Sequence, residues 1–431
     1  MQWNKLSMDE KELAIAAIRR KLVGNKLTYK EIYAIMDQIS QNRLGDVLTT
    51  YFAASGFSKG FSDEEIFFLT KAMVETGQKL KFKGIVADKH SIGGIPGTRT
   101  TLIVVPIIAA AGFTIPKSSS RAITTPSGTA DDMEILAPVN LTRQQIYSVV
   151  KKTNGCIVWG GSFNIAPADD VIIKVEEVLL FESYDKILIS IMAKKIAFGS
   201  NHVVIDIPYG KTDKVHTLDD AKLLKSKFEK LARRFDIKIE VLIHKTEEPA
   251  GRGIGPVLET RESLLVLEQD PHRSPDLEAR SINLAGSLLE LCLADSPSEL
   301  RERIRKKYKN CFNWALDLLI SRLALSKMKQ IIKAQGGNPN IQSSDLAPGK
   351  YSFAYLAPKK CEIKGFNVKN LTLITRVLGA PDMKGSGIFL NKKIGEMIKR
   401  GEPICTFYSD SMYNLKEGKE SLKNFPLIDF K

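Results

Sequence analysis

The sequence predicts an α/β protein with a mainly parallel central sheet covered by helices, a separate all-helical lobe and a C-terminal α+β domain. Three features of the chain carry that expectation. Over the first seventy residues, apolar positions recur only at helical spacing. From Gly84 onward, short apolar runs alternate with helical stretches, the pattern of strands joined by crossover helices. Beyond about Asn338, a stretch bearing Pro339, Ser343, Ser344, Pro348 and Gly349 reads as a linker, and short alternating runs follow it.

The elements follow in order. Ser7, Thr28 and Ser62 each stand three residues before a glutamate, at Glu10, Glu31 and Glu65. That spacing predicts capping boxes and so three helix starts, because the two side chains satisfy each other's free N–H groups. Gly84–Ala87, Cys156–Trp159, His202–Ile207 and Lys238–Ile243 read as strands. The apolar, Ala-rich run from Thr100 to Gly112 predicts a buried helix. A second helical interval covers roughly Ala168–Ser200, and the tail offers Tyr351–Leu356 and Cys361–Ile363 as strands. The expected organisation is helical over 1–78 and 163–200, α/β over 79–162 and 201–340, and α+β over 341–431.

Composition narrows the class. The chain has 431 residues, 43% hydrophobic and 26% charged, enough for a large core and unlike a disordered protein. No apolar run approaches the roughly 18 residues of a membrane span, and the N-terminus lacks the pattern of a signal peptide. The five cysteines lie far apart with no CxxC pair, so reduced thiols in the cytoplasm are expected and a metal site is not. The net charge of +14 is dispersed. Its densest cluster, Arg301–Lys309, falls on an amphipathic helix and reads as a solvated face rather than a nucleic-acid surface.

The chemistry concentrates between Ala87 and Asp132. Two loops rich in small and hydroxyl residues, Lys89–Gly94 and Ser118–Thr129, flank the apolar helix. Glycines let a backbone approach an anion, hydroxyls and a lysine donate to it, and a helix N-terminus attracts it. Two such loops about thirty residues apart point to an enzyme that handles phosphate.

These motifs resemble the thymidine phosphorylase family, which carries a KHSxGG loop and a Ser-x-Arg loop ending in Gly-Thr. The form SSRAITTPSGTADDME, with Trp159–Asp170, Ser190–Lys195 and Gly251–Glu259, resembles the AMP phosphorylase branch of that family. The resemblance runs from about Ser7 to the C-terminus. It implies a discontinuous helical domain, an active site in the cleft opposite the sheet, and a homodimer. It also implies a small-molecule nucleoside or nucleotide substrate, inorganic phosphate as co-substrate, and no cofactor. The branch usually has an additional N-terminal domain; in this sequence the first helix of the catalytic core begins near Ser7, without that domain ahead of it.

Residue by residue, the resemblance assigns phosphate to Lys89, Ser91, Thr100, Ser119 and Thr129. It places His90 beside the base as a candidate proton donor, a task suited to its near-neutral pKa. Gly94, Ser120, Arg121, Ala122, Ile123, Thr124, Thr125 and Thr129 would surround the nucleotide, with Arg121 and Lys214 at its 5′-phosphate. Ser190 and Lys194, four residues apart on one helix face, would contact the base. Lys174 stands where the family has a base-gripping arginine, and loses the planar fork of that residue. Glu182, with Asp185 close by, stands where the branch has an aspartate proton donor; the extra methylene moves the carboxyl by about an ångström. The expected reaction is phosphorolysis of a pyrimidine nucleoside or a nucleoside 5′-monophosphate. A phosphoribosyltransferase, with Asp131-Asp132 or Asp169-Asp170 holding Mg²⁺, and a ligand-binding paralogue with little turnover stand as alternatives.

Overall fold

The computed structural model describes residues 2–93, 95–122, 125–179, 183–211 and 213–430. The chain opens with helices α1 (Gln2–Leu22), α2 (Tyr29–Ser40), α3 (Gly45–Lys59) and α4 (Asp63–Glu75). Strand β1 (Ala87–Ser91) precedes α5 (Thr101–Ala110), β2 (Ile115–Ser119), α6 (Thr129–Glu134), α7 (Arg143–Thr153) and β3 (Gly155–Trp159). Helices α8 (Pro167–Leu179) and α9 (Tyr184–Ala197) lead to β4 (His202–Tyr209), α10 (Leu218–Arg234), β5 (Lys238–Lys245) and β6 (Gly253–Ile254). A helical run follows: α11 (Pro256–Leu267), α12 (Pro275–Ala294), α13 (Ser298–Tyr308), α14 (Cys311–Ile320) and α15 (Leu323–Ala334). The tail contributes β7 (Tyr351–Leu356), β8 (Cys361–Phe366), α16 (Val368–Val377), β9 (Gly387–Leu390), β10 (Met397–Ile398), β11 (Pro403–Ser409), α17 (Met412–Ser421) and β12 (Ile428–Phe430).

The chain divides into two compact units, one of residues 1–88, 160–203 and 223–239, the other of 89–159, 204–222 and 240–431. The first unit is a helical bundle in which α8 packs on α2 and α3, and α9 packs on α4. Two of the capping boxes form as the sequence predicts. Glu31 accepts the Thr28 N–H at 2.8 Å, and Glu65 accepts the Ser62 N–H at 2.9 Å. Glu65 also takes the Lys21 ammonium at 2.8 Å and the Leu27 N–H at 3.1 Å, so one cap residue ties α1 and α4 together. Burial would raise its pKa, but these donors hold it below the ordinary value.

In the second unit, α5 is enclosed by α11, α12, α14 and α15. Leu102, Ile103, Val104, Val105, Ile107 and Ile108 are at most 1% exposed, and each such side chain contributes roughly 1.5–3 kcal/mol through burial. β2 and β3 pair in parallel, with Ile115 opposite Gly155 and Ser119 opposite Trp159. A separate hydrogen-bonded set has the order β1-β4-β5. The tail adds antiparallel sheets of order β6-β9-β11-β7 and β10-β8-β12 over a core that includes Ile363, Leu371, Ile388 and Phe407. No described helix is long and apolar enough to cross a membrane.

Local expectations fail in four places. α1 begins at Gln2, so Ser7 lies inside it rather than at its start; no Gly or Pro interrupts Gln2–Leu6. Gly84 has φ +74°, a turn conformation, and the strand expected there begins instead at Ala87. Lys89–Ser91 is therefore the end of β1 and not a loop. Ser118 and Ser119 likewise close strand β2, pairing with Val158 and Trp159. In both cases ladder hydrogen bonds outweigh the loop preference of polar residues.

Candidate functional site

The last residues of β1 and the start of α5 bring Lys89 and Thr100 together. Lys89 is 2% exposed, and its Nζ donates to Thr100 Oγ1 at 2.6 Å. Thr100 precedes the first turn of α5, and its hydroxyl makes no capping bond to that helix. The ammonium is thus held beside a helix N-terminus, where free N–H groups already favour an anion.

Ser91 Oγ donates to Asp206 Oδ2 at 2.6 Å. Asp206 lies on β4 and is 2% exposed. Its other oxygen meets His244 Nδ1 at 3.0 Å, and Arg280 reaches Oδ2 at 3.4 Å. Arg280 also donates to His244 Nε2. A guanidinium has no lone pair to offer, so Nε2 is the acceptor and Nδ1 carries the proton given to Asp206. Burial would raise the Asp206 pKa, but His244, Arg280 and Lys89 hold it far below the ordinary range.

Arg99 forms a second hub. It donates to Thr129 Oγ1 at 3.1 Å and to the Ser127 carbonyl at 2.8 Å. It also pairs with Asp132 and, at 2.9 Å, with Glu259. Both carboxylates are almost wholly buried. Burial pushes both pKa values up, and Arg99 offsets that only in part.

The segment between β2 and α6 folds back on itself. The Ala130 N–H donates to the Ser120 carbonyl at 3.2 Å. The Asp131 carboxylate takes the Ala122 N–H at 2.7 Å and the Gly128 N–H at 2.9 Å. A Cβ on Gly128 would lie 2.4 Å from the Arg121 carbonyl carbon and 2.6 Å from the Ser120 oxygen, so only glycine permits this closure. Arg121 is held by Asp131 at 3.0 Å and Glu134 at 2.7 Å, with its guanidinium 5.2 Å from the Trp159 ring centre. Thr125 Oγ1 donates to the Ser127 carbonyl at 2.6 Å.

In the helical unit, Asp169 organises the pair expected to read the base. It accepts Ser190 Oγ at 2.8 Å and Lys194 Nζ at 2.7 Å. Burial alone would lower the Lys194 pKa, but Asp169 raises it above its ordinary value. Lys174 is exposed on α8. Asp185 is committed to the Phe61 N–H at 3.2 Å and to Lys227, a structural role at the start of α9.

The second unit therefore brings Lys89 to Thr100, and it fixes Ser91 and Thr129 on charged side chains. Ser119 and His90 are half-buried at the ends of β2 and β1, Ser120 is exposed and Ala122 half-buried, and Lys214 is half-buried after β4. Gly94, Ile123, Thr124 and Glu182 lie outside the described residues. Sequence reasoning missed Arg99, Asp169, Asp206, Asp213, His244, Glu259 and Arg280. Of these, Arg99, Asp169 and Glu259 stood inside stretches already singled out, and Asp206 sat within an apolar strand. Asp213 is 3% exposed, and burial pushes its carboxyl up to about 6 despite Arg280, His244 and His216. The acidic pairs weighed as Mg²⁺ holders carry cationic partners of their own: Arg121 on Asp131, Arg99 on Asp132 and Lys194 on Asp169.

Comparison with known proteins places these residues in a family. The helical bundle domain of a glycosyl transferase family matches residues 15–77, and the α/β domain of a glycosyl transferase family matches residues 83–306. An AMP phosphorylase of Thermofilum pendens is 40% identical over 95% of this chain and 77% of its own length. An AMP phosphorylase of Methanosarcina barkeri is 41% identical over 93% and 77%. A Legionella pneumophila protein named "putative thymidine phosphorylase" is 40% identical over 95% and 77%. Among solved structures, anthranilate phosphoribosyltransferase from Thermus thermophilus superimposes with a TM-score of 0.60 at 15% identity. It covers 74% of this chain and 99% of its own, a likeness of fold.

Proposed function

This chain belongs to the glycosyl transferase family of the AMP and thymidine phosphorylases and is a pentosyltransferase of the phosphorylase type, and we propose that it cleaves a nucleoside 5′-monophosphate with inorganic phosphate. In that reaction the bond from C1′ to the base nitrogen breaks, and its electron pair leaves with the base. A phosphate oxygen bonds to C1′, and a proton goes to the base. A nucleotide gives free base and ribose 1,5-bisphosphate; a nucleoside, the poorer substrate, gives base and (deoxy)ribose 1-phosphate.

The observation that carries this reading is the junction of β1 and α5. A buried lysine, a hydroxyl fixed on it and a helix N-terminus meet there, which suits a dianion held for in-line attack. Lys89, Ser91, Thr100, Ser119 and Thr129 are the proposed phosphate ligands. Lys194 and Ser190, oriented by Asp169, are proposed to bind the base together with Lys174. The base proton is assigned to Glu182 or His90. Gly94 and the stretch Ser120–Thr125 are proposed to border the nucleotide, with Arg121 and Lys214 toward its 5′-phosphate.

Base release from AMP, UMP, TMP and the matching nucleosides, with and without phosphate, tests the reading. Release should require phosphate, favour each monophosphate over its nucleoside and vanish in Lys89→Ala. A clear preference for free thymidine would sink the nucleotide assignment, and full activity of Lys89→Ala would sink the phosphate site. A homodimer through the N-terminal helices is expected, where Val23, Val47 and Tyr51 are exposed. A monomer in sedimentation would contradict it.

A further inference from the structure

The hydroxyls assigned to phosphate differ in what stands behind them. Thr100 Oγ1 accepts from the Lys89 ammonium, and Thr129 Oγ1 accepts from the Arg99 guanidinium. Neither cation offers a lone pair, so each threonine keeps its own hydrogen to give away. Ser91 is the reverse case. Its single hydrogen goes to Asp206 Oδ2 at 2.6 Å, and only lone pairs remain on the other side of its oxygen.

We propose that the site takes its oxyanion in a protonated form, with Thr100 and Thr129 donating to bare oxygens and Ser91 accepting the hydrogen of a P–OH group. This rests on the reading of the site as a phosphate site, and adds which species binds and why a similar anion is refused. Phosphate and arsenate carry an ionisable hydrogen at neutral pH. Sulfate has the same shape and carries none, so it sets a bare oxygen against the Ser91 lone pairs. The proton is then fixed on one phosphate oxygen, and the negative charge stays on the others, from which attack on C1′ must come.

The polarity of Ser91 depends on an ionised Asp206, and the surroundings provide for that. One carboxylate oxygen is taken by His244 Nδ1 at 3.0 Å, and the other is approached by Arg280 at 3.4 Å. A proton on Asp206 would displace one of these donors or the Ser91 hydrogen. Together they hold the carboxyl well below its usual range.

Calorimetric titration of the full chain with phosphate, arsenate and sulfate, at neutral pH and fixed ionic strength, tests this. Phosphate and arsenate should bind alike, and sulfate about ten- to a hundredfold more weakly, the worth of one charge-assisted hydrogen bond. In Ser91→Ala the acceptor is gone, so the gap between phosphate and sulfate should shrink to about threefold or less. In Asp206→Asn the amide can donate to Ser91 and free its hydrogen for the anion, so sulfate should gain relative to phosphate. If that variant fails to fold, Ser91→Ala decides alone. Equal binding of sulfate and phosphate by the native chain overturns the proposal. So does a gap that survives unchanged in Ser91→Ala, or an absence of binding by all three anions. Anion selectivity without phosphate-dependent base release would remove phosphorolysis and leave this proposal standing. Phosphate-dependent release on which sulfate competes as tightly as phosphate itself binds would do the opposite.

Discussion

Two buried acidic clusters of the second unit lie in similar dry surroundings and titrate in opposite directions. Asp206 is one carboxylate facing Lys89, His244 and Arg280, and its pKa is driven down. Asp132 and Glu259 are two carboxylates sharing Arg99, and theirs are driven up. Burial opposes charge in both; the ratio of cations to carboxylates differs. The first cluster is an ionised anchor that sets the direction of a hydroxyl. The second is a mount of two acids on one guanidinium that fixes Arg99, and through it Thr129, in place.

The largest test of that contrast is Arg99→Met. It leaves two buried carboxylates without their guanidinium and should cost about 3–5 kcal/mol in urea unfolding. A loss near zero would mean that the pair is neutral in the folded state and the hub is not ionic. Asp206→Asn should cost about 1.5–3 kcal/mol, because it weakens hydrogen bonds to a charged group and leaves cations unbalanced. Asp132→Asn should cost less than about 1 kcal/mol, since it removes the surplus charge while its amide can still accept from Ser127. An Asp132→Asn cost exceeding that of Asp206→Asn would reverse the comparison.

The pH dependence has two signs. Asp206 is depressed in the folded state, so its contribution is full above the unfolded value near pH 4 and is lost as pH falls toward the folded pKa. Asp213 is raised to about 6, so the folded state binds the extra proton between about pH 4 and 6, and stability falls as pH rises through that window. Asp213→Asn should remove that slope, an effect of about 1 kcal/mol after allowance for solvent screening. Unfolding free energies of both proteins at pH 4.5 and 7 are the measurement; an unchanged slope would show that Asp213 has an ordinary carboxyl.

Local rules made much of the frame legible. The Thr28 and Ser62 caps follow from a spacing of three residues, and α5 from an apolar run too continuous for the surface. The polar, glycine-bearing segments between Ala87 and Asp132 stood out by composition but not by geometry. Lys89-His90-Ser91 has the polarity of a loop, and only its ladder partners make it strand. The supporting residues were harder to see because their partners are remote in the chain. Asp206 lies 115 residues from Ser91 and 74 from Arg280, and Glu259 lies 160 from Arg99. Asp206 sits in a run that reads as apolar, and Asp169 looked like half of a metal-binding pair. No periodicity reports an acid whose task is to orient another side chain.

The closure beneath Gly128 bears on how such an enzyme changes over generations. The ends of its loop are joined by Ala130 to Ser120, and both Ala122 and Gly128 are gathered by Asp131. Any larger residue at 128 would strike main-chain atoms that cannot turn aside. Insertions and deletions between those anchors would break the ring, whereas substitutions of side chains that point away from it would leave the ring intact. The loop is thus built as a cassette of fixed length, whose outward side chains can change one residue at a time over the same backbone.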